Sequence, residues 1–139
     1  MTGVPVRAEV DAAVARLIEW LETGSAPDGL FAADCFADVS LPHWRQQLGS
    51  GAATIAARRE LHPYPGTVRV ERVDRTATGF VIAFEERWQD AGQGWYSREQ
   101  IAADVDAAGE ITEFRAYCTG DWDESLQALH AAEVRLLRP

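Results

Sequence analysis

Residues 67–119 read TVRVERVD, RTAT, GFVIAFEERWQ, DAGQ, GWYSREQIAADV, DAAG and EITEFRAYCT, and this stretch decides the fold. Its apolar side chains recur at every second residue, the period of a strand with one face against a core. Four strands are expected: Thr67 to Asp74, Gly79 to Gln89, Gly94 to Val105 and Glu110 to Thr119. The links Arg75 to Thr78, Asp90 to Gln93 and Asp106 to Gly109 are short and rich in turn formers. Consecutive strands therefore pair as antiparallel hairpins. Such a sheet needs apolar cover on one face.

Upstream the period changes to that of a helix. From Val6 to Thr23 the apolar positions Val10, Val14, Leu17, Ile18 and Leu21 recur at steps of three and four, and Gly24 ends the run. Ser25 can cap a fresh helix with Asp28 three residues on, so a short second helix is expected over Asp28 to Asp34. Cys35 to Leu41 reads as a strand closed by Pro42, and Gly49, Ser50 and Gly51 precede an alanine-rich helix, Ala52 to Leu61. Downstream, Asp121 and Glu124 frame a capping box for a closing helix carrying Trp122, Leu126, Leu129, Val134 and Leu137. Helices first and a long antiparallel meander afterwards make one α+β domain over residues 1–139.

With 139 residues, 47% of them hydrophobic and 25% charged, the chain can hold a core without staples, burying about 68% of its unfolded surface. Thirteen basic against 22 acidic residues give a net charge of −9, which repels a phosphate backbone and argues against a nucleic-acid partner. The basic residues are all arginine and asparagine is absent, the composition of a GC-rich bacterial genome. Cys35 and Cys118 lack CxxC spacing, which suits reduced thiols in the cytoplasm. No apolar run approaches the length of about 18 residues that a membrane span needs, and Met1 to Val10 carries Pro5, Arg7 and Glu9 where a leader would be apolar. His43, His62 and His130 show no metal-ligand spacing, and Gly92-Gln93-Gly94 is a hairpin turn without the context of a phosphate loop. Neither metal nor cofactor is expected.

The order of a helix pair, a short strand, a helix and long hairpins resembles the cone-shaped α+β barrel of the nuclear transport factor 2-like (NTF2-like) superfamily, in its SnoaL-like branch. The segment FADVSLPHWR (36–45) and the ending GEITEFRAYCTGDWD (109–123) carry the resemblance most specifically, with Ala108-Gly109-Glu110-Ile111 standing where the family has a turn of the form Asp-Gly-Lys-Ile. The resemblance implies a curved antiparallel sheet covered by the N-terminal helices, with a C-terminal helix. It implies a pocket inside the cone, open at one end, where an Asp or Glu acts as general acid or base beside a hydrogen-bond donor. Isomerases, cyclases, dehydratases and epoxide hydrolases share this fold, so a cofactor-free enzyme acting on a small apolar metabolite is expected. The fold also hosts non-enzymes, and a ligand-binding or accessory protein is the alternative.

Thr112, Phe114, Ala116 and Cys118 form an uncharged row that should face the pocket. In Gly79 to Gln89 both faces are apolar until Glu85 and Glu86, so the pattern leaves the register open. Similarity to the epoxide-hydrolase-like members puts Glu85 at the place of their strand acid, with Ala83 and Arg87 in its row and Tyr96, Arg98 and Gln100 facing it, while Ala116 stands where a second acid would be. Glu85 is then a catalytic candidate, or else an ion-pair partner of Arg98. Asp38 lies on the short strand that carries the base of isomerase-like members, with Ser40 beside it; a rim or capping role is the alternative. His43 and Trp44 follow Pro42 at the lip, where a titratable group and an aromatic lid can reach a ligand. Ser40, Trp44, Arg87, Tyr96, Arg98, Gln100, Phe114 and Cys118 are the expected substrate contacts. Trp88 and Trp95 should meet on the opposite, outer face near Glu86, Glu99 and Arg115. Two outward indoles suggest a partner, and the resemblance implies a homodimer through that face, a simple cross-strand pair on a monomer being the alternative.

Overall fold

The computed structural model describes residues 5–138; the first four positions of the segment read for a leader, and Pro139, lie outside them. Helix α1 (Arg7–Thr23) buries Val10, Ala13, Leu17, Trp20 and Leu21, one stripe at helical spacing. It ends where Gly24 turns left-handed and donates its N–H to the Trp20 carbonyl. The helix expected over Asp28 to Asp34 is absent. Pro27 to Gly29 make a turn instead, and strand β1 runs from Phe31 to Leu41. Pairing with a distant strand overrides the helix propensity of the alanines there: Phe31 lies beside Ile111 and Ala37 beside Phe114.

Pro42 and His43 form a two-residue turn into β2 (Trp44–Leu48), which pairs antiparallel with β1. The expected lip between strand and helix is therefore a hairpin. Helix α2 (Gly51–Leu61) follows, capped by the Ser50 hydroxyl, which accepts the Ala53 N–H at 3.0 Å. Gly51 is required by contact, because a Cβ there would stand 2.7 Å from the Ala32 carbonyl oxygen.

The meander matches the period-2 reading to within two residues: β3 (Gly66–Arg75), β4 (Gly79–Asp90), β5 (Gln93–Val105) and β6 (Ile111–Cys118). Ala91 (φ 51°) and Gly92 (φ 77°) both adopt the left-handed region, as a two-residue hairpin of the favoured twist demands. The strand order is β2-β1-β6-β5-β4-β3. One departure from the expected all-antiparallel sheet stands out, since β1 joins β6 in parallel and makes the sheet mixed. Helix α3 (Glu124–Glu133) is capped by Asp123, whose carboxylate accepts the Leu126 N–H at 2.8 Å, so Asp121 is not the cap. The α+β architecture is a curved, unclosed six-stranded sheet. Its concave face carries the core of Phe80, Ile82, Phe84, Ile101 and Ile111 against Leu17 of α1.

Candidate active site

Strand alternation sorts the candidate residues by face. On β4, Phe80, Ile82, Phe84, Glu86 and Trp88 are all buried, with Glu86 3% and Trp88 5% exposed. The inward carboxylate of the adjacent pair is thus Glu86, and the expected inward register of Glu85 is reversed. On β5 the inner row is Ser97, Glu99, Ile101, Ala103 and Val105; on β6 it includes Phe114, Ala116 and Cys118.

The β5 and β6 rows, with α1, α2, β1 and β2, border a cavity of about 240 Å³. Trp20, Leu21, Val39, Leu48, Ile101 and Phe114 form much of its apolar wall, while Arg58, His62, Glu99 and Asp121 supply charge and hydrogen bonding. Pairing sets Glu86 opposite Ser97 and Glu99 opposite Phe84, so the two glutamates are diagonal neighbours on the concave face. Their carboxyl groups hydrogen bond to each other.

Arg58 projects from α2 and donates from Nη2 to Glu86 Oε1 at 2.7 Å and to the Leu21 carbonyl at 3.2 Å. Burial works to raise the Glu86 pKa, but the hydrogen bond from Glu99 and the Arg58 guanidinium outweigh it, and Glu86 sits below the ordinary carboxylate value. Glu99 lies well above it, pushed up by burial and then by the negative charge of Glu86. Ser97 donates to the other side of Glu99 at 3.0 Å. The pair therefore favours a proton on Glu99 and a charge on Glu86. His62 meets Trp88 edge-on, 4.3 Å between ring centres, and burial and then Arg58 lower its pKa, which favours its neutral form. Asp121, at the rim, is raised by burial and by Glu86. The Cys118 thiol is pushed up to about 12, first by burial and then by Glu99, which makes it a poor nucleophile.

Phe114 and Cys118 line the cavity, in the row expected to face inward. Glu85 lies on the outer face and accepts from Arg69 Nε at 2.5 Å. Its expected partner Arg98 is opposite it in register but donates to Glu71 at 2.8 and 2.6 Å. Arg87, Tyr96 and Arg98 share that outer face with Glu85, and Gln100 lies in the same exposed row. Asp38 also points outward, beside Ser40; Arg45 hydrogen bonds hold its pKa down to about 2. His43 and Trp44 are exposed in and after the hairpin turn, and neither lines the cavity. Trp88 and Trp95 do face each other, but Trp88 is buried on the concave side, so this pair is no outer patch for a dimer.

Glu86, Glu99, Arg58, His62 and Asp121 escaped the sequence reading. One signal was available: Glu99 alternates with Ser97, Ile101, Ala103 and Val105, an apolar run that belongs inside. Arg58 and His62 enter only through the way α2 crosses the cone.

No protein-family model matches the sequence, and no curated protein matches it. In fold the chain is similar to an NTF2-like protein from Anabaena variabilis (14% identity, TM-score 0.69, covering 82% of this chain and 89% of that one). It is similar also to an M. tuberculosis LEH-like epoxide hydrolase (16% identity, TM-score 0.63, 80% and 83%). A third likeness is to Δ5-3-ketosteroid isomerase from Mycobacterium sp. (21% identity, TM-score 0.60, 78% and 92%). At these identities the likeness is one of fold: this chain adopts the NTF2-like cone.

Proposed function

We propose that this NTF2-like cone is the active site of an acid–base enzyme whose proton donor is Glu99, acting on a compact, uncharged, largely apolar substrate that carries an oxygen. The observation that supports it is a carboxyl in the cavity wall, set beside a second, buried carboxylate that an arginine pins, an arrangement that favours the proton on Glu99. Glu99 donates its proton to an epoxide, hydroxyl or carbonyl oxygen as negative charge develops there, and Arg58 stabilises the carboxylate left behind. Glu86 does not line the cavity; it acts through Glu99 and is a positioning residue. Asp121 at the rim and neutral His62 are the available proton acceptors. Net negative charge around the cavity disfavours anionic substrates. Similar folds bear the names of an epoxide hydrolase and a ketosteroid isomerase. In epoxide opening Glu99 protonates the oxygen as the C–O bond breaks, while water adds to the carbon and gives its proton to Asp121 or His62. In isomerisation of an unsaturated ketone Asp121 or His62 takes a proton from one carbon and returns it to another, while Glu99 hydrogen bonds the enolate oxygen.

The test is a panel of neutral epoxides and unsaturated ketones. Glu99→Gln keeps the shape and should cut turnover at least about a hundredfold with ligand affinity retained; undiminished turnover refutes the assignment. A second reading, a ligand-binding protein without turnover, is favoured by the neutralisation of Glu86 by Arg58. It prevails if neutral ligands bind in the cone and none is converted.

A further inference from the structure

The outer face of the sheet carries a second hollow, of about 330 Å³, roofed by α3 and bounded by Arg87, Tyr96, Trp122 and His130. Its roof is fixed. Tyr96 and Trp122 exchange backbone hydrogen bonds at 3.0 and 2.7 Å, Gln127 donates to the carbonyls of Gly94 and Trp122 at 3.0 Å each, and the Glu124 carboxylate accepts the Gly94 N–H at 2.6 Å. Yet α3 buries none of its own side chains. A helix stapled in place by polar bonds, without packing into a core, leaves a preformed space beneath it.

The walls specify what fits. Tyr96, Trp122 and His130 follow one another as tilted rings, 5.4 and 5.2 Å between centres at 57° and 52°, an aromatic wall whose edges and faces a further ring can pack against. The charges around it largely cancel, Arg69 against Glu85 and Arg98 against Glu71. Arg87 is the exception: its guanidinium lies 4.7 Å from the Tyr96 ring centre and forms no ion pair among the described residues. On a protein of net charge −9, an uncompensated cation beside a wall of aromatic rings selects an anion with a ring attached. From this geometry we infer that the hollow is a second ligand site, separate from the cone, for a planar aromatic carboxylate.

Each cavity has its own reporter, because Trp122 borders the hollow and Trp20 the cone. With 15N-labelled tryptophan, 2-naphthoate titrated to about 1 mM, where a few good contacts still register, should shift the Trp122 indole N–H saturably and leave that of Trp20 in place. Arg87→Gln should weaken this binding at least about tenfold, and 2-naphthylmethanol, without the carboxylate, should bind there correspondingly less. Absence of any shift, movement of Trp20 in place of Trp122, or an unchanged affinity in Arg87→Gln each overturns the assignment. None of these outcomes depends on turnover in the cone.

Discussion

Replacing Glu99 by glutamine should stabilise the fold, although the residue is proposed to be catalytic. A carboxyl with a folded pKa above its ordinary 4.5 binds its proton more tightly in the folded chain than in the unfolded one. Its favourable contribution is complete below that ordinary value and is lost as pH rises through the folded value. Glu99→Gln removes the loss. Its melting temperature should match that of the parent near about pH 4 and exceed it by a few degrees near about pH 8; thermal scans at the two pH values check this. Arg58 behaves in the opposite sense. Its side chain and that of Glu86 are 15% and 4% exposed, so Arg58→Met strands a buried carboxylate and should cost about 3–5 kcal/mol. Adding Glu86→Gln should return most of that, as measured by denaturant unfolding of both variants.

Among the elements, α2 positions the site most directly, since it delivers Arg58 and leads to His62. Its first turn abuts β1 so closely that Gly51→Ala sets a methyl against the Ala32 carbonyl and the Phe31 Cβ, 2.7 and 2.8 Å away. Both are fixed, one by the backbone and the other by its attachment to it. The helix must shift, and a loss of about 1–3 kcal/mol is expected in chemical denaturation, together with weaker binding of neutral ligands in the cone. The same junction marks where the sequence became illegible. The long strands β3 to β6 were readable because a period of two over many residues has no competing explanation. β1 was half concealed, since Phe31-Ala-Ala-Asp suits a helix locally and becomes strand only through β6, some 80 residues later in the chain. Glu85 and Glu86 were indistinguishable for a related reason: β4 is apolar on both faces, and which carboxylate turns inward is settled by Arg69 of β3 on one side and Arg58 of α2 on the other. The inward row of β6 was legible because Glu113 and Arg115 mark its wet side.

At the scale of the whole molecule, the unclosed sheet has two free edges, and they are guarded differently. β2 is only five residues long. β3 alternates Arg69, Glu71, Arg72, Asp74 and Arg75 along its length and is bulged between Val70 and Arg72, features that discourage pairing with another chain. Between the edges, the cone and the outer hollow lie back to back across β4 and β5. β5 contributes Glu99 and Ile101 to one and Tyr96 and Arg98 to the other, while β4 lends Glu85 and Arg87 to the hollow and sets Glu86 behind the wall of the cone.

The parallel contact of β1 with β6 also governs the order of assembly. β1 leaves the ribosome some 80 residues before its parallel strand partner, so the β1–β2 hairpin and α2 cannot settle on the sheet until residues 111–118 exist. The wall that holds Val39, Leu48 and Arg58 is therefore the final part of the cone to form. Contacts of such long sequence separation make folding slow. In the interval Phe31, Ala37 and Val39 lie along a strand whose β6 edge is open, and the nascent chain is most exposed to aggregation just before its candidate active site closes.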